Sequence, residues 1–358
     1  MNQASIAEKL SVSREAVSNW LKNETMPRPP ALLALSKLLN LPFDEIVSTD
    51  KTAIGSFAYR TNRNTKVTSE KATTADEMMH ALTMMSSFFH FSSAFSVSTL
   101  TNPVLDYSYI QQIVTSIRSS MSVSNETHIT EKQIFNYYKQ FATVFVPVLW
   151  GRNGDDGLHI SLTDCPIHFI YLNLQKNNAD FKFWILHELA HILTPSIASN
   201  IKEEFADEFA GAFLYPDSVA KEFYKTLTEN KNTGIVINKI IAEASSWDIS
   251  PITVFKQLQA YAAQNSLTPL NFNIYPACQN YMKTVKLVSD ILFNEESPSV
   301  DKYIDQTKTY YETQIWDVLT KYLKESHKSA GFVQKLLNIS YSDAKGVYDY
   351  LINGKDSA

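Results

Sequence analysis

The sequence predicts a mainly α-helical protein with one small β-sheet: an all-α N-terminal module, an α+β core and a helical C-terminal region. Three observations predict it. Only 9 of 358 residues are glycine, while 44% are hydrophobic. Apolar residues recur at three- and four-residue spacing through most of the chain, the period of an amphipathic helix. The exception lies between 142 and 174, where three short β-branched and aromatic runs are separated by turn residues. A chain of this length with 19% charged residues can hold two or three domains.

From the N-terminus, Gln3 to Leu10 predicts a short helix with Ile6, Ala7 and Leu10 inward. Ser11 and Val12 turn, and Ser13 caps a second helix, REAVSNWLKN, with Val17, Trp20 and Leu21 inward. That is helix-turn-helix spacing. Ser13, Arg14, Glu15, Ser18 and Asn19, joined by Gln3, are polar groups able to read base edges in the major groove of DNA. Pro29 and Pro30 open a third helix, ALLALSKLLN, and Pro42 opens a fourth, FDEIV, within a domain at 1–50. These residues resemble the XRE, or lambda-repressor-like, DNA-binding family from Gln3 to about Val47. They depart from it at one point: the family's first helix has no counterpart ahead of Gln3. The alternative role for such a module is protein contact or dimerisation.

Residues 51–73 follow as a basic linker, with Lys51, Arg60, Arg63, Lys66 and Lys71 against Glu70 alone. The runs ADEMMHALTMMSSFFHF and YSYIQQIVTSIRSSM then predict helices rich in Met and Phe, expected to pack around the core or to form a homodimer surface. Glu131 to Phe141 predicts another helix. ATVFVPVLW, GLHISLTD and IHFIYLNL are the three strands, with turns at Gly151 to Gly157 and Asp164 to Pro166.

Immediately after the sheet comes FKFWILHELAHIL, Phe181 to Leu193, with Asp180 as its cap and Pro195 as its stop. On a helix, His187 and His191 lie four apart and project from one face, close enough to share a cation, with Glu188 beside it. Two imidazoles and a carboxylate that can take a proton from metal-bound water suit a zinc hydrolase. The competing explanation is a pair of core histidines hydrogen-bonded to backbone or carboxylates. A third ligand is offered by the next helix, IKEEFADEFAGAFLYP, capped by Asn200: Glu203 and Asp207 share one face, and Ala206 and Ala210 allow close helix approach. Glu203 suits the metal, Asp207 suits the free ring N–H of a ligand histidine, and Glu204 is the reserve.

HELAH followed by EEFADEFAGAFLYP resembles the ImmA/IrrE family of zincin-like metallopeptidases. The resemblance implies a zincin-like core at 74–216, one zinc ion held by His187, His191 and Glu203, and Glu188 as catalytic base. It also implies a sheet whose edge strand lies along the cleft, where an extended substrate adds as a further strand. Oxyanion donors are open among Tyr171, Tyr215 and His159.

Beyond Pro216, residues 217–358 predict helices. Within 240–260, Ala244, Trp247, Asp248, Ile249, Ser250, Val254 and Leu258 repeat the spacing of the N-terminal helix-turn-helix, and the family resemblance favours a protein-contact role for them. LLNISYSDAKGVYDYL echoes the pattern again near the C-terminus. Cys165 and Cys278 form no CxxC, which fits a reducing cytoplasm, and no apolar run reaches membrane-span length. The net charge of -5 excludes a chain that is basic throughout. Two functions follow. One is a DNA-binding zinc endopeptidase that cleaves a helix-turn-helix repressor, or itself, to control stress, prophage or mobile-element genes. The other is a non-proteolytic regulator or antitoxin whose metal site is structural or sensory.

Overall fold

The computed structural model describes residues 2–21, 25, 27–39, 55–60, 68–91, 99–163, 165–229, 232–295 and 297–354. The chain forms two compact units, Met1–Ala53 and Ile54–Ala358. The expected fold class holds: helices dominate, and a single four-stranded sheet lies among the described residues.

The first unit holds α1 (Gln3–Leu10), α2 (Arg14–Leu21) and α3 (Pro29–Leu39). Asn2 caps α1 by accepting the Ser5 amide, and Ser13 caps α2 by accepting the Ala16 amide at 3.0 Å. Between them Ser11 adopts a left-handed conformation (φ 52°), and the Val12 amide donates back to the Ala7 carbonyl at 3.0 Å. This bond closes the helix with a tight turn. Ala7 and Val17 form the buried seam. Leu21, expected inward, is 66% exposed because it ends α2 one turn beyond that seam. The expected fourth helix at 42–47 lies outside the described residues.

The second unit begins with β1 (Gly55–Arg60) and α4 (Ser69–Met85). Both elements lie within or overlap 51–73, the expected linker. Phe57 packs on the core and so draws the strand onto the sheet, and Thr68 caps α4 through the Lys71 amide. Next come α5 (Tyr107–Ser120), α6 (Glu131–Tyr138), β2 (Thr143–Val148), β3 (Gly157–Leu162) and β4 (Cys165–Asn173). The sheet order is β1-β3-β4-β2, with β2 and β4 parallel and the other pairs antiparallel. Two helices follow, α7 (Asn178–Leu193) and α8 (Lys202–Leu214). Helix α7 has Asn177 at its N-cap position, three residues before the expected cap, so Asp180 sits in its first turn. Helix α8 starts after Ile201, and Asn200 does not cap it.

Nine helices complete the described chain: α9 (Asp217–Thr228), α10 (Thr233–Ser246), α11 (Pro251–Gln264), α12 (Tyr275–Met282), α13 (Val288–Phe293), α14 (Val300–Tyr311), α15 (Ile315–Glu325), α16 (Ala330–Leu337) and α17 (Tyr341–Asn353). They share one hydrophobic core with residues 74–216, which the sequence had separated from them. The repeated turn recurs in structure. Asp248 (φ 51°) and Asn338 (φ 50°) are left-handed like Ser11, and the Ile249 and Ile339 amides return to Ala244 and Gln334. The hairpin α10–α11 is spent on packing: Val254, Phe255, Leu258, Tyr261 and Ala262 of α11 are buried, and Lys182 of α7 reaches Asp248 in its turn at 3.2 Å. Among the described residues no helix is long and apolar enough to cross a membrane.

Candidate metal centre

Helix α7 is buried along nearly its whole length because apolar residues fill both its faces. His187, Glu188 and His191 are accordingly 1%, 2% and 7% exposed, so each polar group needs a partner inside the protein. Helix α8 packs against α7, and Ala206 and Ala210, both fully buried, share the helix face of Glu203 and Asp207. That approach brings in its two carboxylates.

The Nε2 atoms of His187 and His191 lie 3.1 Å apart. Glu203 Oε2 is 3.3 Å from His187 Nε2, and Glu203 Oε1 is 3.4 Å from His191 Nε2. Asp207 Oδ1 is 2.9 Å from His187 Nδ1. His187 therefore donates Nδ1–H to Asp207 and turns the lone pair of Nε2 toward His191 and Glu203. A second lone-pair nitrogen and a carboxylate facing that point repel one another unless a cation or a proton stands between them. Ligands on tetrahedral zinc at about 2.0–2.2 Å stand about 3.3–3.6 Å apart, close to the separations found here. His187, His191 and Glu203 are also the one group of ligating side chains among the described residues whose donor atoms cluster within 4.8 Å. The residues fit zinc, with Glu203, the exposed ligand, marking the side open to solvent. His191 Nδ1 is buried without a hydrogen-bond partner.

Glu188 turns to β3. Its Oε2 accepts from His159 Nδ1 at 2.9 Å, and His159 Nε2 lies 3.1 Å from His168 Nδ1 and 3.3 Å from Ser161 Oγ. Burial by itself would raise the Glu188 carboxyl. The His159 hydrogen bond and the nearby charges of His159, His187 and His191 overcome it and bring the group down to about 2. Burial, aided by His159, lowers His168 to about 3, and burial lowers His191 to about 4. The hydrogen bond from His187 and the charges of the two histidines lower Glu203 against the effect of its partial burial.

The structure thus assembles His187, Glu188, His191, Glu203 and Asp207 in one place. It adds His168, and it ties His159, one of the three oxyanion candidates, to Glu188, a link that sequence spacing could not make. Alternation along β3 and β4 puts both on the face toward α7, which was the available signal. Tyr171 is removed from the oxyanion candidates because its hydroxyl is buried against the Leu336 carbonyl, and Tyr215 because it donates to Glu243. Glu204 is exposed and has no place among the clustered ligands.

In the first unit Ser13, Arg14 and Glu15 are exposed at the start of α2, while Gln3, Ser18 and Asn19 are half-buried. The sequence pattern of one protein family, described as Helix-turn-helix, matches residues 1–46. No curated protein and no solved structure matches the chain. The N-terminal unit is a helix-turn-helix domain, the kind of module through which transcription regulators bind DNA.

Proposed function

We propose that this DNA-binding regulator carries a zinc-dependent endopeptidase centre, resembling that of the ImmA/IrrE family, which cleaves a helix-turn-helix repressor or the chain itself. Its role would be the control of stress, prophage or mobile-element genes. The observation that carries this reading is the convergence of His187 Nε2, His191 Nε2 and the Glu203 carboxylate within 3.1 to 3.4 Å beside an ionised Glu188.

His187, His191 and Glu203 would hold the ion, and Asp207 fixes the ring of His187. Zinc bound there would supply Lewis-acid activation of water and of a peptide carbonyl. Glu188, ionised at neutral pH, takes the proton of the attacking water and returns it to the leaving amine. His159 holds one oxygen of that carboxylate and so fixes its orientation.

The same hydrogen bond favours a second reading. A Glu188 that is 2% exposed and tied to His159 also suits a structural or sensory metal site in a non-proteolytic regulator or antitoxin. Glu188→Gln separates the two. The first reading expects one zinc per chain in both wild type and variant, with cleavage of a partner repressor reduced about 10²- to 10⁴-fold. Zinc-loaded wild type that cleaves neither itself nor a repressor, yet shifts promoter DNA, would leave the second.

A further inference from the structure

Two contacts fix how β3 runs beside the metal helix. At Gly157 a Cβ would meet the Trp184 ring at 2.1 Å, so strand and helix touch there. Two residues on, His159 reaches Glu188 at 2.9 Å. Two strand residues advance about 6.6 Å and four helix residues about 6 Å, so β3 and α7 keep pace.

The outer edge of β3 is occupied along its length by β1, in the register Ala58↔His159 and Ser56↔Ser161. Residues directly opposed in an antiparallel pair share a face, so Ser56 and Ala58 lie on the face of Glu188. Both are small, Ser56 is exposed and Ala58 is half-buried. Phe57 lies opposite Ile160 on the other face and packs on the core. A peptide paired directly to β3 lies about 4.8 Å from it, whereas one added outside β1 would lie about 10 Å away, a strand further from His159.

We propose that Gly55–Arg60 is a built-in occupant of the outer edge of β3, the edge along which the peptidase reading lays an extended peptide. The occupant holds the place of an extended peptide with small side chains at alternate positions. The inference rests on the peptidase reading for what the site does with such a peptide. Its consequence is self-occlusion: an external peptide must displace β1, and Phe57 is the side chain that holds β1 down.

The test uses the full chain and a fluorescein-labelled peptide copying residues 53–62, with binding read by anisotropy and cleavage read separately by mass spectrometry. Phe57→Asp, with Phe57→Ala used if the first fails to fold, is expected to bind the peptide at least tenfold more tightly than wild type. The gain should persist in a Glu188→Gln background. Glu188-dependent cleavage of wild type within 55–60 would also support the assignment. Equal peptide affinity in wild type and the folded Phe57 variants overturns it, whatever the cleavage assay returns. A Phe57 variant that binds tightly but cleaves nothing counts against the peptidase reading and leaves the occupancy standing.

Discussion

At the scale of single residues, the site is a set of buried titratable groups held in the states that suit a cation. His168 is neutral in the folded protein down to about 3, whereas its unfolded value is 6.5. Between those values the unfolded chain binds more protons, so stability is fully present above 6.5 and falls as pH drops toward 3. Glu188 moves from 4.5 unfolded to about 2 folded, so its contribution is present above 4.5 and is lost between 4.5 and 2. Urea titrations of metal-free protein should therefore show a loss between pH 7 and pH 5 in which His168 accounts for at most about 2 kcal/mol. His168→Gln should flatten that slope down to about pH 3 and leave in place the loss that Glu188 carries between 4.5 and 2. A slope that is unchanged in the variant would assign it to other histidines.

At the scale of elements, two close approaches have separable roles. Ala206, fully buried, lies one turn on from Glu203 on the same face of α8, where that helix packs against α7. Ala206→Leu inserts bulk into that contact and should cost about 1–3 kcal/mol. It should also drive zinc content well below one per chain, as metal analysis of the folded fraction would show. Gly157 sets the distance from β3 to α7, where an added Cβ meets Trp184 at 2.1 Å. Gly157→Ala should destabilise by a similar amount and loosen His159 from Glu188, yet keep zinc, because all three ligands lie on α7 and α8. Equal zinc loss in both variants would mean that the sheet, too, sets the ligand geometry. The helix hairpins carry another lesson at this scale. Three of them share one left-handed turn residue followed by an apolar residue and a serine: Ser11-Val12-Ser13, Asp248-Ile249-Ser250 and Asn338-Ile339-Ser340. Local sequence specifies that turn. It does not specify use, since α11 buries most of its length while α2 buries Val17 alone.

At the scale of the whole molecule, there are two compact units: 1–53 holds the helix-turn-helix and 54–358 the candidate metal centre. Arg14→Ala, at the exposed start of α2, should weaken DNA binding by about 1–3 kcal/mol in a gel-shift titration at fixed salt and leave zinc content unchanged. A fall in both would show that the units are coupled. The sequence by itself determined what depends on near neighbours. It set the i,i+4 spacing of His187 and His191, that of Glu203 and Asp207, the β-branched and aromatic runs of β2 to β4, and the Ser11 turn that makes the N-terminal hairpin legible. Tertiary structure alone decided what depends on partners distant in the chain. GSFAYR is short and lies in a basic, Thr- and Asn-rich stretch, so only the free edge of β3 and the core contact of Phe57 make it a strand. His159 is 29 residues from Glu188, and the two meet because β3 runs in step with α7. The C-terminal helices, which alone read as a separate region, join the core because each has an apolar face too large to leave in water.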